Sequence, residues 1–359
     1  MCAERQTAEK KKKHIYIYQC KPGDVLADDV LDDSGLLIIP KDVKIDGNIM
    51  KKLESFHIRH LCIYDPSETE DPEKPEKNSA IKEFKKDYKK NVAAIKKVLN
   101  DLASGRKLRY EKIQEISGSI YSKIVSISSV IECMNEVRNM DEYTYTHSIN
   151  VSIYAMLIAR WLDMPEDEVR DIVTAGILHD IGKSRIPGAI LNKKGPLLPE
   201  EFEKMKTHVA IGYNIAKGIP QLTDKIREAI LMHHEREDGN GYPRGLKGEK
   251  IGMYAKIISV ADVYDALTSE RVYKKRFTPF DTFRELERIG YGHFDTRVMM
   301  TFLSNIFSYY IGSTVKMNTG EIGKVVFTPL QSISTPVVYV NGRFVDLSKN
   351  KKLKIVDML

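Results

Sequence analysis

The sequence predicts a mostly α-helical protein with a small α/β domain at its N-terminal end and a small β-rich appendage at its C-terminal end. Three observations support this fold class. Apolar residues alternate along short segments of the first part of the chain, the long middle part has helical spacing, and β-branched runs between glycine turns follow Tyr310. A chain of 359 residues is long enough for about two to three domains and one large core.

The N-terminal region divides into a tail, a small domain and a linker. Residues 1–13 form a basic tail without the apolar segment of a secretory signal. Residues 14–66 carry the α/β pattern, and residues 67–79 are rich in Pro, Glu, Ser and Lys, which is typical of a linker. The predicted strands of the small domain are residues 14–19, 36–40 and 61–64, and its predicted helix is residues 48–56.

Helical spacing begins after the linker. Residues 80–117 predict a helical connector with a break at Ser104-Gly105. Residues 118–311 predict the packed helices of one larger domain. Short β-branched segments such as Pro336-Val-Val-Tyr-Val then predict that residues 312–359 form the β-rich appendage.

Several helix boundaries in the larger domain are marked by single residues. Pro165 and Pro199 are each followed by acidic residues, which predicts helix starts because the first turn tolerates proline and favours negative charge. Thr223 predicts the N-cap of another helix, and Gly182 predicts a helix end. Residues 238–252 contain too many glycines for a regular helix and predict a loop between two helices.

Composition excludes some classes of function. The chain has 56 Lys+Arg and 50 Asp+Glu, a net charge of only +6, and its basic residues are dispersed, so we predict no DNA partner. Charged residues make up 30% and hydrophobic residues 42%, as in a globular protein. No apolar run approaches the roughly 18 residues of a membrane span. The four cysteines show no C-x-x-C spacing, which predicts a reducing, cytoplasmic setting without a thiolate metal site.

Histidines are concentrated in one part of the helical region, where five of the nine in the chain lie. Imidazole and carboxylate ligands together suit Fe, Mn, Ni and Zn. A single histidine is usually an ordinary hydrogen-bonded side chain, as we expect for His57, His60 and His293. An ordered set on facing helices instead predicts a metal site inside a bundle. Its members are His147, His179, Asp180, His208, His233, His234 and Asp262.

Two motifs carry a resemblance to a known family. The segment His179-Asp180-Ile-Gly-Lys183 is followed by His233-His234-Glu235 and by Asp238-Gly-Asn-Gly-Tyr-Pro243. This combination resembles the HD-GYP family, a branch of the HD-domain metal phosphohydrolases, over roughly residues 120–311. The resemblance implies an HD-type helical bundle and a bacterial phosphodiesterase that hydrolyses the second messenger cyclic di-GMP to linear pGpG.

The resemblance also implies a binuclear metal centre. Two divalent ions, Fe or Mn in preference to Ni or Zn, would share Asp180 as a bridging and catalytic ligand. Two ions about 3.5–4 Å apart stabilise the attacking and leaving oxygens of a phosphoryl transfer and lower the pKa of bound water. By the family pattern, the first ion would have His147, His179, Asp180 and Asp262, and the second Asp180, His208, His233 and His234.

A second set of residues is implied to contact the substrate. Lys183 lies four residues after His179, which predicts a position one turn along the same helix face. The resemblance makes it a catalytic phosphate contact, although a lysine there could also be a helix C-terminal residue favoured by the dipole. Arg271 and Lys274 repeat the family's Arg-x-x-Lys phosphate clamp, in which a guanidinium suits two phosphate oxygens. Asp265 would orient either a metal ligand or Arg271.

The segment Gly241-Tyr242-Pro243 is an ordinary turn by composition. The resemblance implies that these three residues contact the guanine or ribose of the substrate and help to dock a cyclic di-GMP synthase (GGDEF) domain. The helices before His147 could also pair in a homodimer.

Tyr143 occupies the position at which some family members have a glutamate that binds a third metal, so we predict two ions. Whether the product is pGpG or GMP stays open. Two alternatives to the main function also stay open: a phosphohydrolase of another cyclic dinucleotide or nucleotide, and a non-catalytic cyclic di-GMP receptor.

Overall fold

The structure, a computed structural model, describes residues 12–17, 20–21, 23–31, 37–46, 49–50, 53, 58, 60–64, 73–123, 134, 143–268, 278–328 and 333–359. At residues 16, 37, 73–81, 123, 143–144 and 308 it describes the backbone alone. The contacts divide the chain into two compact units, Met1–Ala80 and Ile81–Leu359. Within the described residues, each helix is too short or too polar to cross a membrane.

The N-terminal unit contains two small antiparallel sheets. Strand β1 (Lys12–Tyr16) pairs with β4 (His60–Tyr64), and β2 (Val30–Leu31) pairs with β3 (Leu37–Ile39). All three predicted strands are present, whereas β2 was not predicted because two residues show no alternation. The predicted helix at residues 48–56 is helical at 49, 50 and 53, and its other residues lie outside the described part. Buried side chains of the unit include Leu26, Ile45, Leu53 and Ile63.

Helix α1 (Glu73–Ala103) corrects the predicted linker. It begins at Glu73, inside residues 67–79. Pro75 does not prevent this start, because it lies in the first helical turn, where a missing backbone N–H and a fixed φ are tolerated. Composition typical of a linker therefore coincides here with a helix start. The predicted break after α1 is confirmed, since Gly105 has a φ of +88°.

Two helices form the centre of the larger unit. Residues 146–159 of α3 (Tyr143–Trp161) and residues 254–261 of α9 (Met253–Thr268) are buried without interruption, which is the pattern of helices surrounded on all sides. Helix α2 (Tyr110–Lys123) runs across the predicted domain boundary at residue 118. The other helices are α4 (Glu166–Leu178), α5 (Gly188–Leu191), α6 (Pro199–Lys206), α7 (His208–Lys217), α8 (Asp224–Met232), α10 (Pro279–Gly290) and α11 (Thr296–Ser308).

Most of the predicted helix starts are confirmed. Pro165 is the N-cap of α4, Pro199 is the first residue of α6, and the Thr223 hydroxyl accepts a hydrogen bond from the Ile226 N–H at 3.4 Å. Acidic residues occupy the first turns of α4 and α6. The stretch between α8 and α9 is a loop that contains only one short 3-10 helix, Gly248–Lys250, as the glycines predict.

The C-terminal segment forms an antiparallel sheet of five strands, in the order Arg343–Asp346, Val337–Val340, Ile322–Phe327, Thr314–Met317 and Ile355–Met358. One face of this sheet extends the core of the helical domain, as the burial of Val315, Val325 and Val338 shows. The predicted β appendage is therefore packed on the bundle. Its strands are β5 (Thr314–Met317), β6 (Ile322–Phe327), β7 (Val337–Val340), β8 (Arg343–Asp346) and β9 (Ile355–Met358).

Candidate metal centre

The structure brings six of the seven predicted metal-ligating side chains together in the interior of the bundle. The seventh, Asp262, lies outside both groups but contacts His147, with Oδ1 3.1 Å from Nε2. Two of the seven lie inside a helix away from its ends, His147 on α3 and Asp262 on α9. The others lie where helices end or begin, so that the chain reaches the centre through short turns. His179 is the C-cap of α4, Asp180 follows it, His208 begins α7, and His233 is the C-cap of α8, followed by His234.

Asp180 lies between two groups of imidazoles. Its Oδ2 atom is 3.3 Å from His179 Nε2 and 3.6 Å from His147 Nε2. Its Oδ1 atom is 3.3 Å from His208 Nε2 and 3.9 Å from His233 Nε2. The two clusters able to hold an ion, His147 with His179 and His208 with His233 and His234, both include Asp180. A carboxylate in this position has one oxygen available to each of two cations.

Backbone carbonyls determine which ring nitrogen carries the proton in three of the histidines. The Nδ1 atoms of His179, His208 and His233 lie 2.8, 2.8 and 3.0 Å from the carbonyl oxygens three residues earlier. These carbonyls belong to the last turn of the preceding helix, where the intrahelical partner is missing. Because a carbonyl only accepts, Nδ1 carries the proton and Nε2 has a lone pair facing Asp180.

Several buried polar atoms at this centre lack a hydrogen bond. Among the described residues, no partner is found for the Nε2 atoms of His179, His208 and His233 or for Oδ1 of Asp180. Each such atom costs about 1–3 kcal/mol when it is buried unsatisfied. Nitrogen and carboxylate ligands that converge on a common point are the donor set of divalent transition metals, so the residues fit such ions.

Electrostatics also favour cations here. Burial lowers the pKa of His234 to about 4, and burial lowers the pKa of His233 as well, so both are neutral imidazoles, the form that binds metal. Burial opposes a charge on His147, but hydrogen bonds to Asp262 and Asp265 outweigh it and raise its pKa to about 10. The carboxylates around His147 therefore stabilise positive charge.

His147 is held by a chain of buried hydrogen bonds. Its Nδ1 atom lies 2.7 Å from Asp265 Oδ2, and Asp265 Oδ1 accepts from the Asn150 amide at 2.8 Å. Asn150 in turn accepts from the hydroxyl of Tyr88 on α1 at 2.6 Å. Carboxylates that orient a metal-binding histidine are a common outer-shell arrangement. The contact of Asp265 with His147 agrees with one of its two predicted roles, whereas Asn150 and Tyr88 were not predicted, because nothing local in the sequence marks them.

Lys183 lies at the edge of the cluster, with its Nζ 2.5 Å from Asp180 Oδ2. Its predicted location on the helix of His179 is wrong. Helix α4 ends at Leu178, and Lys183 lies in the 3-10 turn Ile181–Arg185. Gly182 does not end the helix either, since it lies in that 3-10 turn. The turn packs closely against α7 at this residue, where a Cβ atom would be 1.9 Å from the carbonyl oxygen of His208.

The Gly-Tyr-Pro segment lies beside the histidines. The Tyr242 ring centroid is 4.7 Å from that of His234, and the Tyr242 N–H donates to the His234 carbonyl at 3.1 Å. A Cβ atom on Gly241 would lie 2.5 Å from backbone atoms of residues 234–236, so only glycine allows this close return of the chain. The peptide bond between Tyr242 and Pro243 is cis.

Glu235 is a site residue whose role was not predicted, although it lies within the motif. Its side chain is buried, and its Oε1 and Oε2 atoms accept from the backbone N–H groups of Arg244 and Leu246 at 2.7 and 2.9 Å. The carboxylate therefore fixes the end of the loop that contains Tyr242. The sequence signal was the acid directly after the histidine pair, but its partners are only visible in the folded chain.

We expect Glu235→Gln to loosen this loop. An amide replaces one acceptor oxygen by an NH2 group that would face a backbone donor, and a buried unsatisfied group costs about 1–3 kcal/mol. The variant should therefore unfold at a lower temperature and hydrolyse substrate more slowly than the parent. Glu249→Gln, an exposed change in the same loop, is the control and should stay within about 0.5 kcal/mol of the parent. Equal unfolding temperatures and equal turnover rates of the two variants would contradict the role assigned to Glu235.

Three predicted positions cannot be compared with the structure. Arg271 and Lys274 lie in residues 269–277, outside the described part of the chain, and the side chain of Tyr143 is also outside it. The phosphate clamp and the absence of a third metal ligand therefore stay predictions.

Comparison with known proteins agrees with this geometry. Residues 128–298 match the family model of the HD domain. A cyclic di-GMP phosphodiesterase, PA4108 of Pseudomonas aeruginosa, is 34% identical over 248 residues, which are 69% of this chain and 60% of that protein. A cyclic di-GMP phosphodiesterase of Thermotoga maritima is 39% identical over 181 residues, 50% of this chain and 49% of that protein.

A solved structure shows the same fold. Bd1817, an HD-GYP-type protein from Bdellovibrio bacteriovorus, superposes with a TM-score of 0.54 over 82% of this chain and 99% of that one, at 15% identity.

Residues 128–298, which contain the buried histidine and aspartate side chains, are therefore similar in sequence to the HD domain, and the bundle has the fold of an HD-GYP-type protein. The chain also contains the two motifs that resemble the HD-GYP family, His179-Asp180 and Gly241-Tyr242-Pro243, and it is similar in sequence to the two cyclic di-GMP phosphodiesterases named above. It spans about half to three fifths of the length of the two curated relatives described above.

Proposed function

We propose that this protein is a metal-dependent phosphodiesterase that hydrolyses cyclic di-GMP to linear pGpG. The observation that carries the proposal is Asp180, a buried carboxylate with one oxygen toward His147 and His179 and the other toward His208 and His233. A site with two sets of nitrogen donors around one carboxylate suits a pair of divalent ions. The names of the relatives support cyclic di-GMP as the substrate.

Two ions would be held by the side chains that the sequence predicts. One would bind His147, His179, Asp180 and Asp262, and the other Asp180, His208, His233 and His234. Such ions supply an activated water and stabilise charge on the phosphate oxygens. We propose Fe or Mn in preference to Ni or Zn, although imidazole and carboxylate suit all four.

The protein's own side chains would bind and orient the substrate around these ions. The Lys183 side chain is 29% exposed while Asp180 beside it is 9% exposed, so the ammonium group is accessible to a phosphate at the mouth of the site. Tyr242 lies over His234 with its ring partly exposed, which suits contact with a base or ribose. Arg271 and Lys274 would bind phosphate oxygens, as the resemblance to the family's Arg-x-x-Lys clamp implies.

The test is turnover by the purified chain. Protein supplied with Mn(II) or Fe(II) should convert cyclic di-GMP to pGpG, followed by chromatography, and elemental analysis should give two ions per chain. Cyclic GMP-AMP as a parallel substrate distinguishes the alternative nucleotide specificity. Tight cyclic di-GMP binding without turnover under any divalent metal would instead support a receptor, and three ions per chain would contradict the prediction made from Tyr143.

Docking of a GGDEF domain and homodimer formation also stay predictions. Size measurement of the purified chain, alone and with an added GGDEF domain, tests both.

A further inference from the structure

A cavity of about 270 Å³ opens beside the metal centre. Asp180 and Lys183 of the metal centre line it, together with the buried Ser148 of α3. A ligand in this cavity would therefore have one end next to the predicted phosphate contact. The volume is near the lower limit of about 300–1,000 Å³ for ligand pockets, so it suits one nucleoside rather than a whole dinucleotide.

The remaining walls are mainly apolar. Tyr145, Ile186 and Leu191 line the cavity from the HD domain, and Leu99 lines it from α1. Apolar and aromatic walls suit a nucleobase, because any base can stack its π-face on aromatic side chains. The Tyr145 ring is itself held by the Lys96 ammonium group of α1, 5.5 Å from the ring centroid.

Helix α1 also supplies a polar group and part of the rim. Asn100 and Ala103 line the cavity and are exposed. An Asn amide has a donor and an acceptor, which match the O6 acceptor and the N1–H donor on the Watson–Crick edge of guanine. The match to the HD domain begins at residue 128. The α1 residues of this wall lie before it and therefore belong to the helical connector, outside the matched domain.

We propose that this cavity is a subsite for one purine base of the substrate, and that Asn100 on α1 is a specificity-determining residue that hydrogen-bonds the edge of the base. The proposal rests on the proposed function, since it takes the cyclic dinucleotide as the ligand. It gives α1, which connects the HD domain to the N-terminal unit in sequence, a direct part in substrate binding.

The experiment measures binding of GMP and of ribose 5-phosphate to the Mn-loaded protein, and KM and kcat for cyclic di-GMP. Asn100→Ala removes the amide, and Ala103→Phe fills the rim. Both positions are exposed, so folding should be unaffected. We expect GMP to bind about tenfold more weakly to each variant, KM to rise in parallel, and kcat, metal content and ribose 5-phosphate binding to stay unchanged. Lys97→Ala and Ala93→Phe, exposed changes on the same helix outside the cavity, are the matched controls.

The outcomes separate the two proposals. The base subsite is wrong if GMP binds with equal affinity to the parent, both variants and the controls. It is also wrong if GMP does not bind to the parent. Both conclusions hold whether or not cyclic di-GMP is hydrolysed. If GMP binding depends on Asn100 and Ala103 but no cyclic dinucleotide is hydrolysed, the subsite stands and the proposed phosphodiesterase function is wrong. A loss of ribose 5-phosphate binding in the same variants would also overturn the proposal, since it would indicate a phosphate contact.

Discussion

Asp180→Ala is expected to abolish both metal binding and turnover. The side chain is the only member that the two predicted ligand sets share. Its removal leaves His208, His233 and His234 without an anionic ligand and leaves the other set with Asp262 as its only carboxylate. Loss of an orienting outer-shell group costs about 10–100-fold in metal affinity or activity, and a bridging ligand should cost more. Elemental analysis of the purified variant and a chromatographic assay with cyclic di-GMP measure the two effects.

The control for this change is Asp167→Ala, which removes an exposed carboxylate from the first turn of α4. It should retain both ions and full turnover. Thermal unfolding shows whether each variant is folded, which separates loss of metal from loss of structure. An Asp180→Ala protein that still contains two ions per chain would show that this carboxylate does not bridge.

Gly182→Ala is expected to destabilise the protein strongly and to disturb the metal centre. The new Cβ atom would lie 1.9 Å from the His208 carbonyl oxygen and 2.6 Å from the Gly212 N atom, both in the backbone of α7. Backbone cannot move away as a flexible side chain can, so the 3-10 turn and α7 must separate. We expect a cost of about 3 kcal/mol, the upper end of typical overpacking, together with weaker metal binding, because Asp180 and His208 lie on the two sides of this contact.

Gly118→Ala is the matched control. Gly118 lies within α2, and a Cβ atom there would meet nothing within 4 Å among the described residues. The change should stabilise the helix by about 0.5–1 kcal/mol. Chemical unfolding of the two variants and the parent measures the difference. If Gly182→Ala unfolds at the same denaturant concentration as Gly118→Ala, the close approach of the turn to α7 is not a packing constraint.

Local sequence signals were sufficient for much of the fold. Acidic residues after Pro165 and Pro199 predicted two helix starts, because backbone N–H groups at a helix start favour negative charge. The Thr223 hydroxyl predicted a cap that the structure contains. These signals succeeded because the interactions they describe join residues within one helical turn. The linker prediction was wrong for a related reason, since Pro75 is compatible with a first helical turn as well as with a loop.

The sequence by itself determined which side chains are present for metal chemistry: an ordered set of histidines and aspartates, with a glycine-rich loop behind the histidine pair. Only the tertiary structure decided how they act together. It set the two oxygens of Asp180 toward different histidines, buried Glu235 against the loop of Tyr242, and linked Tyr88 to His147 through Asn150 and Asp265. The contacts that hold His147 join segments distant in sequence, with Tyr88 and Asn150 62 residues apart and Asn150 and Asp265 115 residues apart. They follow from packing α1, α3 and α9 in one bundle, which no local pattern encodes.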